Sequence, residues 1–310
     1  MAKSATRHNR SERVESPLVV EPRWLLRAGL VMLAVAFACG YLTLCWLFYQ
    51  GQWQLVLHPE RTAARPARIG GLPYALVRFG PDSSGVPQRT AWSMPPSAED
   101  RYRHLMVLYL PAGDGSLNDA LPVLDGLRRL GIAVFAMNYR GYGESAAVHP
   151  SEAGMREDAE AAWSYLVQEQ RVSAQDVIPY GVGVGASVAL GLVARHTEVT
   201  AMVMDAPVFD VSARVKADPR VRFLPVDALL HDRFRMEPAL AESKVAKLIL
   251  SKTTGASPEI AKAGEPKMTV EMARFDTGLF DRAIRRFLDA YAPATPAERL
   301  ELKGTASSSK

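Results

Sequence analysis

Cysteine is nearly absent from this chain of 310 residues: Cys39 and Cys45 are the only two. They stand six positions apart in one apolar run, on different sides of any helix it forms, so they cannot bridge each other. A disulfide scaffold is therefore excluded, and a chain of this length does not need one to build a core. Histidine is scarce too, with six in all and none after His231. No H-E-x-x-H or C-x-x-C pattern occurs, so neither a metal site nor a cofactor is expected. Excess charge is also missing once the chain is divided. Residues 1–27 carry six basic and three acidic groups, residues 28–50 carry none, and the rest hold 31 basic and 30 acidic groups. A near-neutral main body gives no electrostatic case for a nucleic-acid partner.

What the chain does have is one long hydrophobic run. Ala28 to Tyr49 is an uncharged stretch of 22 residues, AGLVMLAVAFACGYLTLCWLFY. At ~1.5 Å per residue it reaches about 33 Å as a helix, enough to cross a hydrocarbon core. Trp24 flanks one end, and Trp46, Tyr49 and Trp53 flank the other, where aromatic rings favour the membrane interface. Ala36-Phe37-Ala38 before Cys39 resembles a signal-cleavage or lipidation site, but ten more mostly apolar residues follow, against a cleavage junction. The expectation is an uncleaved, single-pass anchor in the cell membrane. Basic residues before it put the N-terminus in the cytoplasm and the main domain outside. The expected division is a basic cytoplasmic tail (1–27), a transmembrane helix (28–49), a folded domain (50–291) and a disordered Ala/Pro/Ser-rich tail (292–310).

Within 50–291, short apolar runs alternate with helical periodicity. Tyr74–Phe79 and Gln88–Trp92 read as a hairpin around the turn-rich GPDSSG. Leu105–Leu110, Ile132–Met137, Val177–Tyr180, Ala201–Met204, Val245–Leu250 and Met268–Met272 read as strands. Helices are expected over Asp119–Leu130, from a Ser151 cap, over Ala186–Ala194 and over Leu279–Tyr291. Residues 208–243, irregular and punctuated by proline, look like a cap-like insertion. Strands alternating with helices predict an α/β fold whose mostly parallel sheet is covered on both faces.

The sharpest local motif is Gly181-Val182-Gly183-Val184-Gly185-Ala186, between a strand and a helix. Gly181, Gly183 and Ala186 satisfy the dinucleotide turn G-x-G-x-x-G/A, with Asp205 where a ribose-binding acid would stand. Gly181 and Gly185 also fit the nucleophile elbow G-x-S-x-G, with Gly183 in place of the serine. The glycines alone leave both readings open.

The surrounding residues resemble the α/β-hydrolase superfamily, and within it the membrane-anchored, peptidase-like and esterase-like subgroup. Leu108-Tyr109-Leu110 followed by Gly113-Asp114-Gly115-Ser116-Leu117 resembles its strand and oxyanion loop. Asn138-Tyr139-Arg140-Gly141-Tyr142-Gly143-Glu144-Ser145 resembles the loop after the next strand. His149-Pro150-Ser151-Glu152, the helix through Asp158 to Leu166, Asp232-Arg233-Phe234 and Leu57-His58-Pro59-Glu60-Arg61 resemble further segments of that subgroup. The resemblance covers residues 50–291 and is most specific over 104–207. It implies an α/β-hydrolase fold preceded by one N-terminal transmembrane helix, and it favours the elbow reading of the glycine turn.

The resemblance also implies where a serine, an acid and a histidine would stand. The serine position is Gly183, which has no side chain, and Ser187 lies one turn further into the helix. The acid position follows Val245–Leu250, where the chain reads Ser251-Lys252-Thr253-Thr254-Gly255, with Glu259 more distant. The histidine position follows the last strand, beyond His231. Pro111-Ala112 replaces the usual His-Gly pair, and proline has no N–H to offer. Gly113 and Val184 are the expected oxyanion-like backbone donors, and Pro111, Arg140, Asp205 and Lys252 are candidate pocket residues. His149 and His196 read as loop and helix-end histidines, whereas His231, beside Asp232 in the cap region, stays open, since His231 or Asp205 would activate water in an unorthodox hydrolase. The expected function is binding or scaffolding of a protein partner or small ligand at a membrane. The alternative is an esterase or peptidase with a non-standard active site.

Overall fold

The computed structural model describes residues 22–62, 64–96, 101–253, 255 and 257–295. The expected cytoplasmic tail up to residue 21, and the end of the C-terminal tail from 296, lie outside the described residues. The chain divides into two compact units between Leu47 and Phe48.

The first unit is built on helix α1, Pro22–Gly51, whose last four residues belong to the second unit. It begins earlier than the uncharged run because Pro22 suits the first turn of a helix, where its missing N–H costs nothing. No charged side chain interrupts it from Ala28 onward, and none of its most hydropathic stretch is buried. The Thr43 hydroxyl donates back to the carbonyl of Cys39 at 2.8 Å, so this polar group is satisfied within the helix. Length and composition make α1 a candidate transmembrane span.

The second unit is an eight-stranded sheet. Its strands are β1 (Ala75–Pro81), β2 (Pro87–Met94), β3 (Met106–Leu110), β4 (Ala133–Asn138), β5 (Val177–Val182), β6 (Ala201–Asp205), β7 (Ala246–Ser251) and β8 (Lys267–Glu271). They lie in the order β8-β7-β6-β5-β3-β4-β2-β1. β2 runs antiparallel to both neighbours, and the other pairs are parallel. Successive side chains point to opposite faces, so continuous apolar strands feed two cores. Leu108, Phe135 and Met137 face one core, with α3 (Glu152–Ser164) and α4 (Gly185–Arg195). Val107, Tyr109 and Val134 face the other, with α2 (Leu121–Arg129) and α5 (Thr277–Tyr291). This is an α/β-hydrolase fold, as the sequence predicts.

The expected Ser151 cap is present, and Asp276, which the sequence reading did not single out, caps a second helix. Ser151 accepts from the N–H of Gly154, and Asp276 accepts from that of Leu279. Between β6 and β7 the chain forms four short helical turns, whose Val211, Val215, Val221, Val226 and Leu230 join the core on the α3/α4 face. Two features were not anticipated. A π-helical turn, Tyr165–Glu169, extends α3. A two-residue parallel bridge joins His58–Pro59 to Asp114–Gly115.

Candidate functional site: a glycine elbow

The glycine turn joins β5 to α4 at the C-terminal edge of the sheet. Gly183 has φ +55°, in the left-handed region that side chains avoid. Its N–H donates to the carbonyl of Asp205 at 2.9 Å, and its own carbonyl accepts from Val208 at 3.1 Å. Both flanking glycines are required by close approach. A Cβ on Gly181 would strike the carbonyl oxygen of Gly185, and a Cβ on Gly185 would strike those of Leu110 and Pro111. At Gly183 a Cβ would meet the Ala112 Cβ at 3.2 Å, a crowding that a small shift relieves. The turn thus keeps the geometry that lifts a central side chain above a sheet, with no side chain there.

Gly113 and Val184, the two expected oxyanion-like donors, lie side by side. Gly113 has φ +80°, and apolar groups crowd it: a Cβ there would lie 2.8 Å from Leu57 Cδ2 and 2.9 Å from Val184 Cγ2. The Gly113 carbonyl accepts from the His58 N–H at 3.0 Å and from the Tyr142 hydroxyl at 2.7 Å. Pro111 packs its carbonyl against Gly185.

The four candidate pocket residues have different surroundings. Arg140 is turned into the protein: its Nε donates to Asp158 at 2.6 Å and its Nη2 to Glu157 at 2.7 Å. Asp158 is buried and also receives Arg89 Nε at 2.7 Å and the Arg140 N–H at 2.7 Å. This network fastens α3 to the sheet. Asp205 lies beside the elbow, and its carboxylate accepts the Tyr180 hydroxyl at 2.9 Å. Burial raises its pKa, opposed by that hydrogen bond and by the Lys252 charge. Lys252 is exposed, on a cleft of about 320 Å³ lined by Ala206, Pro207, Phe209, Ser251, Thr253, Ser257 and Ile260.

Ser187 is buried in α4, and its hydroxyl has no partner among the described residues. Glu259 sits in the first turn of the short helix Pro258–Lys262. His149 packs its ring on Trp53 at 4.9 Å. His196 stacks on Trp163 at 4.3 Å and bonds Glu160 at 2.8 Å. His231 lies against Tyr49 and shares a 2.6 Å hydrogen bond with Gln52. Among the described residues no group of three His, Cys, Asp or Glu could hold a metal ion.

One pair escaped the sequence reading. His58 Nδ1 lies 2.7 Å from Asp114 Oδ1, with Arg214 3.6 Å from the other carboxylate oxygen. Both members are about half exposed. They stand next to Gly113 because of the two-residue bridge, a pairing over 56 positions that no local pattern announces.

Sheet order, elbow and helical cover together define the fold, and the comparisons agree with it. Residues 116–279, just over half of the chain, match the family described as serine aminopeptidase, S33. The chain belongs to this α/β-hydrolase family. An uncharacterized protein of Mycobacterium tuberculosis is 31% identical over 215 residues, covering 64% of this chain and 73% of that protein. Protein bem46 of Schizosaccharomyces pombe is 33% identical over 101 residues, covering 32% of this chain and only 33% of bem46. Among solved structures, an esterase of Pyrococcus furiosus matches with a TM-score of 0.58 and 15% identity, over 76% of this chain and 100% of its own. An α/β hydrolase from Vibrio vulnificus gives 0.54 and 20%, over 70% and 79%. At such identity these structures speak for the fold alone. Membership sets aside the dinucleotide reading: the turn is the elbow of a hydrolase sheet, and Asp205 is held by Tyr180.

Proposed function

We propose that this α/β-hydrolase is a membrane-tethered binding or scaffolding protein rather than a working serine hydrolase. The observation that carries the reading is Gly183, which holds the left-handed elbow conformation and has no nucleophile to present. Two further features support it. The end of β7 and the loop after it offer Ser251, Lys252 and Thr253 instead of a carboxylate, and no histidine follows β8. A serine nucleophile needs a base to take its proton and an acid to orient that base. Helix α1 anchors the chain in the cell membrane by a single pass, with the N-terminus cytoplasmic and the second unit outside. The occupant is a protein partner or a small ligand at the vacated elbow. A fluorophosphonate probe tests the reading on purified protein: no covalent labelling is expected, and labelling abolished by competing ester substrate would overturn it.

The His58–Asp114 pair favours a second reading, an esterase or peptidase with a non-standard site. An imidazole held through Nδ1 by a carboxylate is oriented as a general base for water. Ester turnover that falls at least ~100-fold in His58→Ala would support this reading, since general-base contributions have that size.

A further inference from the structure

Phe223 is the most exposed large apolar side chain among the described residues, at 76%. Its exposure is not for want of a core. Val221 and Val226 on either side are buried, and the Leu224 N–H closes a turn onto the Val221 carbonyl at 2.9 Å, leaving Phe223 at the corner. The Arg222 guanidinium lies over the Phe223 ring, 4.6 Å from its centre. The segment leading to it, Ser212–Arg222, carries Arg214, Lys216, Arg220 and Arg222 against a single acid, Asp218. Arg220 is paired with Asp218 and Lys216 with Asp227, whereas Arg222 has no carboxylate within 4 Å among the described residues.

This corner is tied to the stretch where the chain leaves α1. Gln52, one residue past the helix, donates to the Leu229 carbonyl at 3.2 Å and accepts the His231 N–H at 2.8 Å. Phe223 is six residues from Leu229, no more than about 20 Å of chain.

We propose that Phe223 and Arg222 form a second contact with the bilayer surface, the ring entering the interface and the guanidinium binding lipid phosphate. Aromatic rings favour that depth, and a guanidinium matches phosphate oxygens bidentately. The inference rests on α1 being an anchor, and the partner is a lipid surface carrying anionic headgroups.

The test uses the full chain in nanodiscs, with both native cysteines changed to serine and one nitroxide label introduced at a time. Labels at Phe37→Cys, Phe223→Cys and Val86→Cys report α1, the corner and a remote hairpin turn. Accessibility to oxygen and to a water-soluble nickel chelate is read in phosphatidylcholine with and without phosphatidylglycerol. The expected result is a lipid signature at 37 and 223 and an aqueous one at 86. Adding Arg222→Glu should return position 223 to the aqueous level. A lipid signature at 37 with an aqueous one at 223 in both bilayers overturns this contact alone. An aqueous signature at 37 overturns the anchor and the contact with it. Protection at 223 from nickel that persists without bilayer assigns the corner to a protein interface instead, and overturns the lipid proposal.

Discussion

At Gly183 a single residue carries the proposal that serine chemistry is absent. The elbow forces its central residue to φ +55°, which costs an ordinary side chain on the order of 1–3 kcal/mol. A working nucleophile repays that strain with catalysis, and glycine avoids it. Gly183→Ser should therefore lower stability by about 1–3 kcal/mol in denaturant melts without creating ester turnover. Turnover in that variant would show that a base is already poised above the elbow. Asp158 decides differently, through structure. It is buried under two arginines, so Asp158→Ala leaves both without their shared partner and should cost about 3–5 kcal/mol by the same measurement. Lys247, buried in β7, donates only to the carbonyls of Ser243 and Gly264. Burial lowers its pKa from 10.5 to about 8. Below about pH 8 the folded protein therefore bears the cost of a buried charge. Between there and 10.5 the unfolded chain binds the extra proton, so this cost is relieved and stability gains with rising pH. Melts between pH 8 and 10 should show that gain in the parent protein and lose it in Lys247→Met.

At the scale of elements, β5, the elbow and α4 act as one unit whose glycines are not equivalent. A Cβ at Gly185 strikes the rigid backbone carbonyls of Leu110 and Pro111, whereas at Gly183 its tightest contact is the Ala112 methyl at 3.2 Å. Gly185→Ala should consequently cost about 1–3 kcal/mol or more from overpacking alone, and it should disturb the Leu110–Pro111 turn as well. Helix α1 makes a separate prediction. Leu33→Arg with Ala38→Arg puts two charges in its middle, each disfavoured by about 2.5–3.5 kcal/mol in a membrane-spanning helix. Alkaline extraction of membranes should retain the parent chain and release this variant. The elements themselves were largely legible in the sequence. Uninterrupted apolar runs such as Leu105–Leu110 mark buried strands, and Ser151 marks a helix start. The π-helical turn at Tyr165–Glu169 was not, because nothing in its sequence distinguishes it from a continuing helix.

For the whole molecule, the legible and illegible parts divide by range along the chain. The sequence by itself determined the apolar helix, the neutral main body, the alternation of strands and helices, and the glycine turn. Each of these depends on composition or on spacing within a few residues. It also determined that position 183 has no side chain and that no histidine follows His231. Tertiary structure alone decided what the charged candidates do. Arg140 turned inward because Asp158, eighteen positions away, is buried beneath it. Asp205 became a neighbour of Tyr180 because β5 and β6 pair side by side. His58 met Asp114 only because a parallel bridge closes over 56 positions. Local preference is written residue by residue, whereas a side chain's partner depends on which distant segments the two cores bring together.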